Sequence, residues 1–92
     1  MRERVREHIT FSGCVQGVGF RYKISRLAET YGVTGWVRNE CDGTVSAELQ
    51  GIVSEIDEII RRINEDRYIY LDDVQRTRIE TVSDERNFSV QY

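Results

Sequence analysis

The spacing of apolar residues switches repeatedly between two and about 3.6 along the 92-residue chain, and this fixes the order of its elements. Residues 5–12 alternate, with Val5, Ile9 and Phe11 on one face and Arg6, His8 and Thr10 on the other. Phe20, Ile24, Leu27, Ala28 and Tyr31 then recur at helical spacing, and Gly32 is the expected C-terminal stop. Strands are predicted over 33–39 and 44–50, with the turn pair Asp42-Gly43 between them. In the second of these, Val45, Ala47 and Leu49 oppose Ser46, Glu48 and Gln50. Val53, Ile56, Ile59, Ile60 and Ile63 predict a helix over about 54–64, with Ser54 as its cap. Residues 66–73 follow neither period. A strand with one poorly patterned face is expected over 74–81, and Phe88, Val90 and Tyr92 suggest a last short one. Strand, helix, strand, strand, helix, strand is the split βαβ order (βαββαβ). The expected class is therefore α+β, a ferredoxin-like antiparallel sheet with two helices on one face. The first two strands must then run parallel and end at the same sheet edge. Residues 13–19 and Asn39 become neighbours there.

At this length a single domain, 1–92, is expected, with no room for a large cofactor cleft on a second one. The net charge of −3 comes from interleaved acids and bases, without the basic surface of a nucleic-acid binder, so no nucleic-acid partner is expected. No apolar run approaches the roughly 18 residues of a membrane span. The charged first fifteen residues lack the apolar stretch of a signal peptide. A cytoplasmic location with no membrane partner, and a monomer, are the default expectations. Cys14 and Cys41 stand apart without companion histidines, so a metal site has too few ligands. They read as free thiols in a reducing compartment, or alternatively as one disulfide.

The run Gly13-Cys14-Val15-Gln16-Gly17-Val18-Gly19 leads a strand into a helix. Glycines allow positive φ, so successive N–H groups can converge, and the helix start adds its dipole. Such a loop is either a tight turn or an anion cradle for one phosphoryl group, since neither nucleotide-loop pattern is present. Arg21 stands in the first helical turn, where a cation opposes the dipole. Its guanidinium could instead grip two phosphate oxygens. Asn39 closes the second strand, either as a turn residue or as a carboxamide that donates and accepts at once. In the second role it could hold a water in line with phosphorus. His8 reads as a surface histidine, and Cys14 as a member of the loop without thiol chemistry. Arg38 should point to the opposite sheet face from Asn39. Trp36, Tyr68, Tyr70 and Tyr92 read as packing residues, and Glu55, Asp57, Glu58, Arg61 and Arg62 as a solvated helix face.

Residues Gly13 to Arg21 resemble the first signature of the acylphosphatase family. Gly35-Trp36-Val37-Arg38-Asn39, with Gly43, Val45 and Gly51 at their spacings, is similar to the second. The resemblance implies an enzyme that hydrolyses acyl phosphates without metal or organic cofactor. It implies that the amides of Val15, Gln16, Gly17, Val18, Gly19 and Phe20 bind the phosphate together with Arg21. Asn39 would position the attacking water. Inorganic phosphate would be product and inhibitor. Gly19 stands where some relatives carry a bulkier residue, which would open the pocket, and 66–73 lacks a glycine–proline pattern common in relatives. Similar domains also stand at the front of larger carbamoyl-transferring proteins, so a non-catalytic phosphate or carbamoyl-phosphate module is the alternative reading. A protein- or RNA-binding module of the same fold is a third. Closure soon after the last strand favours a freestanding enzyme.

Overall fold

The computed structural model describes residues 3–92. Its elements run β1 (Arg4–Cys14), α1 (Phe20–Tyr31), β2 (Thr34–Asn39), β3 (Val45–Ile52), α2 (Val53–Asn64), β4 (Tyr70–Ile79) and β5 (Phe88–Gln91). They form a five-stranded sheet in the order β4-β1-β3-β2-β5. The β1–β3, β1–β4 and β2–β3 pairings are antiparallel, whereas β5 lies parallel to β2. The split βαβ expectation holds, and the short terminal strand makes the sheet mixed rather than wholly antiparallel.

The odd-numbered apolar residues of the inner strands meet the helices in one core. Ile9, Phe11, Val37, Val45, Ala47 and Leu49 are fully enclosed there with Ile24, Ala28, Ile56, Ile59 and Ile63. The Phe11 and Phe20 rings meet at 4.8 Å, joining the end of β1 to the start of α1. Burying one such aromatic stabilises the fold by about 3 kcal/mol. The core therefore fixes both elements that flank the glycine-rich loop.

Three details differ from the sequence reading. β3 passes directly into α2, so Ile52 occupies the N-cap position, without a side-chain hydrogen bond, and Ser54 lies inside the first turn. No loop is left in which a serine could cap. β4 starts at Tyr70, four residues before the expected start, and a bulge opposite Ser12 and Gly13 breaks its alternation. As an edge strand it buries few side chains, which is why its pattern is faint. Asp57 lies on the exposed helix face expected of it and there binds Arg76 of β4 at 2.7 Å, and Arg76 also binds the buried Glu7 at 2.7 Å.

The third difference is the sheet face turned away from the helices. Arg6 and Gln50, which alternation places on the polar strand faces, are almost fully enclosed there. Residues 81–87 fold over them. Gln50 accepts from the Val82 N–H at 2.7 Å and donates to the Val82 carbonyl at 2.9 Å. Arg6 donates to Glu48 at 2.9 Å and to both oxygens of Glu85, at 2.7 and 3.3 Å. This strap delivers the chain to β5 beside β2.

Candidate active site

The glycine-rich loop and Asn39 meet at one sheet edge around an open cavity of about 310 Å³. Its walls are Val15, Gly17, Gly19, Phe20 and Arg21 from the loop and helix start, Tyr22 and Ser25 from α1, Asn39 from β2, and Val90 and Tyr92 from the chain's end. Six of the eight residues expected from sequence thus line one space. Gln16 and Val18 are not among the walls.

The loop's backbone leaves a run of its N–H groups without partners among the described residues. Gly17 and Gly19 adopt φ of 75° and 81°, a left-handed conformation that other residues resist, so the chain curls around the cavity. A Cβ at either position would meet no atom within 4 Å, so conformation rather than space calls for glycine. Among the described residues, the N–H groups of residues 16–19 find no backbone acceptor. The first α1 bond runs from the Lys23 N–H to the Gly19 carbonyl at 3.0 Å. The N–H groups of Phe20, Arg21 and Tyr22 therefore have no helical acceptor. A curl of unpaired amides at a helix start carries net positive potential without a mobile side chain.

α1 has no acidic residue in its first turn and no side-chain cap, whereas α2 has Glu55 in its first turn and Arg61 and Arg62 in its last. The second helix follows the dipole rule and the first opposes it with Arg21. Among the described residues Arg21 forms no ion pair. Its Nη1 donates to the Gln91 carbonyl at 3.4 Å and its guanidinium sits 4.8 Å from the centre of the Tyr92 ring. Most of its donors remain available.

Asn39 shares the helix-side face with Val37 and lines the cavity. Arg38 lies over Trp36 at 4.9 Å on the other face, as strand alternation requires, and donates to Glu40 at 3.0 Å. Hydrogen bonds from Arg38 and Ser46 hold the Glu40 carboxyl below its ordinary value, which makes it a poor proton acceptor beside Asn39. None of the described walls is a His, Asp, Glu, Cys or Lys. Among the described residues no group of three or more His, Cys, Asp or Glu side chains is placed to hold a metal ion.

His8 is part-exposed and lies outside the cavity. Its Nδ1 stands 3.1 Å from Glu48 and its ring meets Trp36 edge-on at 6.0 Å. Cys14 and Cys41 are exposed free thiols. Tyr68, Tyr70 and Tyr92 are not packing residues as expected but are largely exposed. They lie on an edge strand and its approach, and at the end of the chain, where nothing covers them. Tyr92 instead forms part of the cavity rim. Sequence reasoning missed Tyr22, Ser25 and Val90. Their only signal was position: 22 and 25 lie one and four places beyond Arg21 on the helix, and 90 alternates with 92.

The acylphosphatase family model matches residues 7–90. An acylphosphatase of Clostridium acetobutylicum is 38% identical over 81 residues, 87% of this chain and 89% of that protein. One from Chlorobaculum tepidum is 52% identical over 58 residues, 63% of each, so that match spans less than two thirds of the relative's length. The solved structure of an acylphosphatase from Coxiella burnetii superposes with a TM-score of 0.85 at 31% identity, covering 96% of this chain and 93% of that one. With the cradle, the order of its elements and these likenesses in agreement, the chain belongs to the acylphosphatase family.

Proposed function

We propose that the protein hydrolyses the carboxyl–phosphate bond of small acyl phosphates, with Arg21 and Asn39 as its working side chains. One observation carries the reading: residues of a loop with unpaired amides, an arginine without a carboxylate partner, and Asn39 line the same small cavity. The amides of 15–20 and Arg21 hold the phosphoryl oxygens. Asn39 holds a water opposite the acyl oxygen, accepting a hydrogen bond from it and donating one to the phosphate. The water oxygen bonds to phosphorus as the bond from phosphorus to the acyl oxygen breaks. The electron pair leaves with the carboxylate, and the water proton passes to a non-bridging phosphate oxygen.

Acyl phosphates carry a good leaving group, so position and charge suffice. Phosphoryl transfer draws mainly on these two effects, and one charge-stabilising donor is worth about 3 kcal/mol in a dry site. The scheme uses no metal and no cofactor, and inorganic phosphate competes as product. Steady-state hydrolysis of benzoyl phosphate, with p-nitrophenyl phosphate as control, tests it. The acyl phosphate is expected to turn over and the monoester to be left nearly intact. Asn39→Ala is expected to lower kcat about 100-fold while phosphate inhibition stays within about threefold. Wild-type kcat in Asn39→Ala would remove the water-holding role.

A further inference from the structure

We propose that the Gln16 side chain is a positioning residue that sets the distance between the phosphate loop and Asn39. The inference rests on the water-holding role given to Asn39 above. Loop and carboxamide stand on separate elements, about twenty residues apart, and in-line attack requires them to keep one relative geometry.

Gln16 turns its side chain away from the cavity into the neck of the β2–β3 hairpin. Its Nε2 donates to the Glu40 carbonyl at 2.8 Å and to the Thr44 carbonyl at 2.9 Å. The Thr44 carbonyl also receives the Glu40 N–H at 2.9 Å, so the three groups close a small ring at the hairpin neck. Glu40 directly follows Asn39, and Asn39 pairs with Val45, which directly follows Thr44. Gln16 therefore grips the residues bonded to Asn39 and to its strand partner. Its own backbone belongs to the loop between Val15 and Gly17, both cavity walls.

Two carbonyls converging on one nitrogen need a neutral group with two protons. A carboxamide supplies them, a carboxylate at neutral pH supplies none, and an ammonium would bring an uncompensated charge into a part-buried site. Asparagine has the group but is one methylene shorter.

A mutant cycle on benzoyl phosphate hydrolysis tests the inference, using Gln16→Met, Gln16→Glu and Asn39→Ala, alone and combined. Gln16→Met keeps the length and removes both donors. It is expected to lower kcat roughly 10- to 100-fold, with KM and inhibition by inorganic phosphate changed less than about threefold. Gln16→Glu is expected to match it at neutral pH. In the Asn39→Ala background the same changes should cost less than about threefold more, because the group being positioned is gone. Undiminished kcat in Gln16→Met overturns the inference, as does a loss that multiplies fully with Asn39→Ala, or phosphate affinity falling in step with kcat. These results leave the role of Asn39 standing, whereas wild-type kcat in Asn39→Ala alone removes both. Should neither variant fold, the wild type decides by NMR. Both Gln16 side-chain amide protons are expected to show Overhauser contacts to the 40–44 hairpin and slow solvent exchange. Free exchange overturns the inference.

Discussion

Arg21 stands where a carboxylate would be the stabilising choice, in a first helical turn without an acid or a side-chain cap. Its removal should therefore separate activity from stability. Arg21→Ala is expected to abolish benzoyl phosphate hydrolysis, while the urea unfolding free energy stays within about 0.5 kcal/mol of wild type. Arg21→Lys keeps the charge but not the two-pronged donor, and kcat/KM should fall at least about 100-fold. If lysine sustains activity, the guanidinium geometry is immaterial and Arg21 acts as a point charge. Residue identity made both proposed working side chains legible, since an ill-placed cation and a strand-end carboxamide are visible in the sequence. The grip of Gln16 was not, because it depends on which carbonyls the fold brings within reach of one side chain.

Elements legible from period alone are those with one fully buried face. Ile9 and Phe11, Val45 with Ala47 and Leu49, and the isoleucines of α2 define their elements because every second or every third to fourth residue is enclosed. β4 was half-missed because an edge strand buries little and its bulge shifts the alternation. The strap of 81–87 left no period at all. Its attachment relies on Gln50, an apparently solvent-facing strand residue. Gln50→Ala should leave the Val82 N–H and carbonyl without their partner and cost about 1–3 kcal/mol in a urea titration. A loss below the error of that titration would show the strap to be incidental. At the root of the cradle, Phe11→Ala removes the ring packed on Phe20 and should cost about 3–5 kcal/mol.

At the scale of the whole molecule, the loop and Asn39 meet because the topology ends two parallel strands, β1 and β2, at one edge and starts α1 there. Their parallel run brings loop and Asn39 to one edge, and that much followed from the order of elements in the sequence. The opposite face contributes an acid-sensitive lock. Burial works to raise the Glu48 pKa, but hydrogen bonds and charges from His8 and Arg6 outweigh it and hold the carboxyl below its ordinary 4.5. The folded pKa being depressed, this stabilisation is complete above about 4.5 and is lost as pH falls through the folded value. Urea midpoints should thus fall on acidification below that point, and less steeply in Glu48→Gln. An equal slope in the two proteins would assign the acid sensitivity to other carboxylates.

The most direct measurement follows the oxygen of the attacking water. Benzoyl phosphate is hydrolysed by the protein in ¹⁸O-enriched water and both products are analysed by mass spectrometry. A water held against phosphorus places the label in inorganic phosphate and leaves the benzoate unlabelled. Label in the benzoate would mean attack at the carbonyl carbon, and would contradict a cradle that holds the phosphoryl group for in-line displacement.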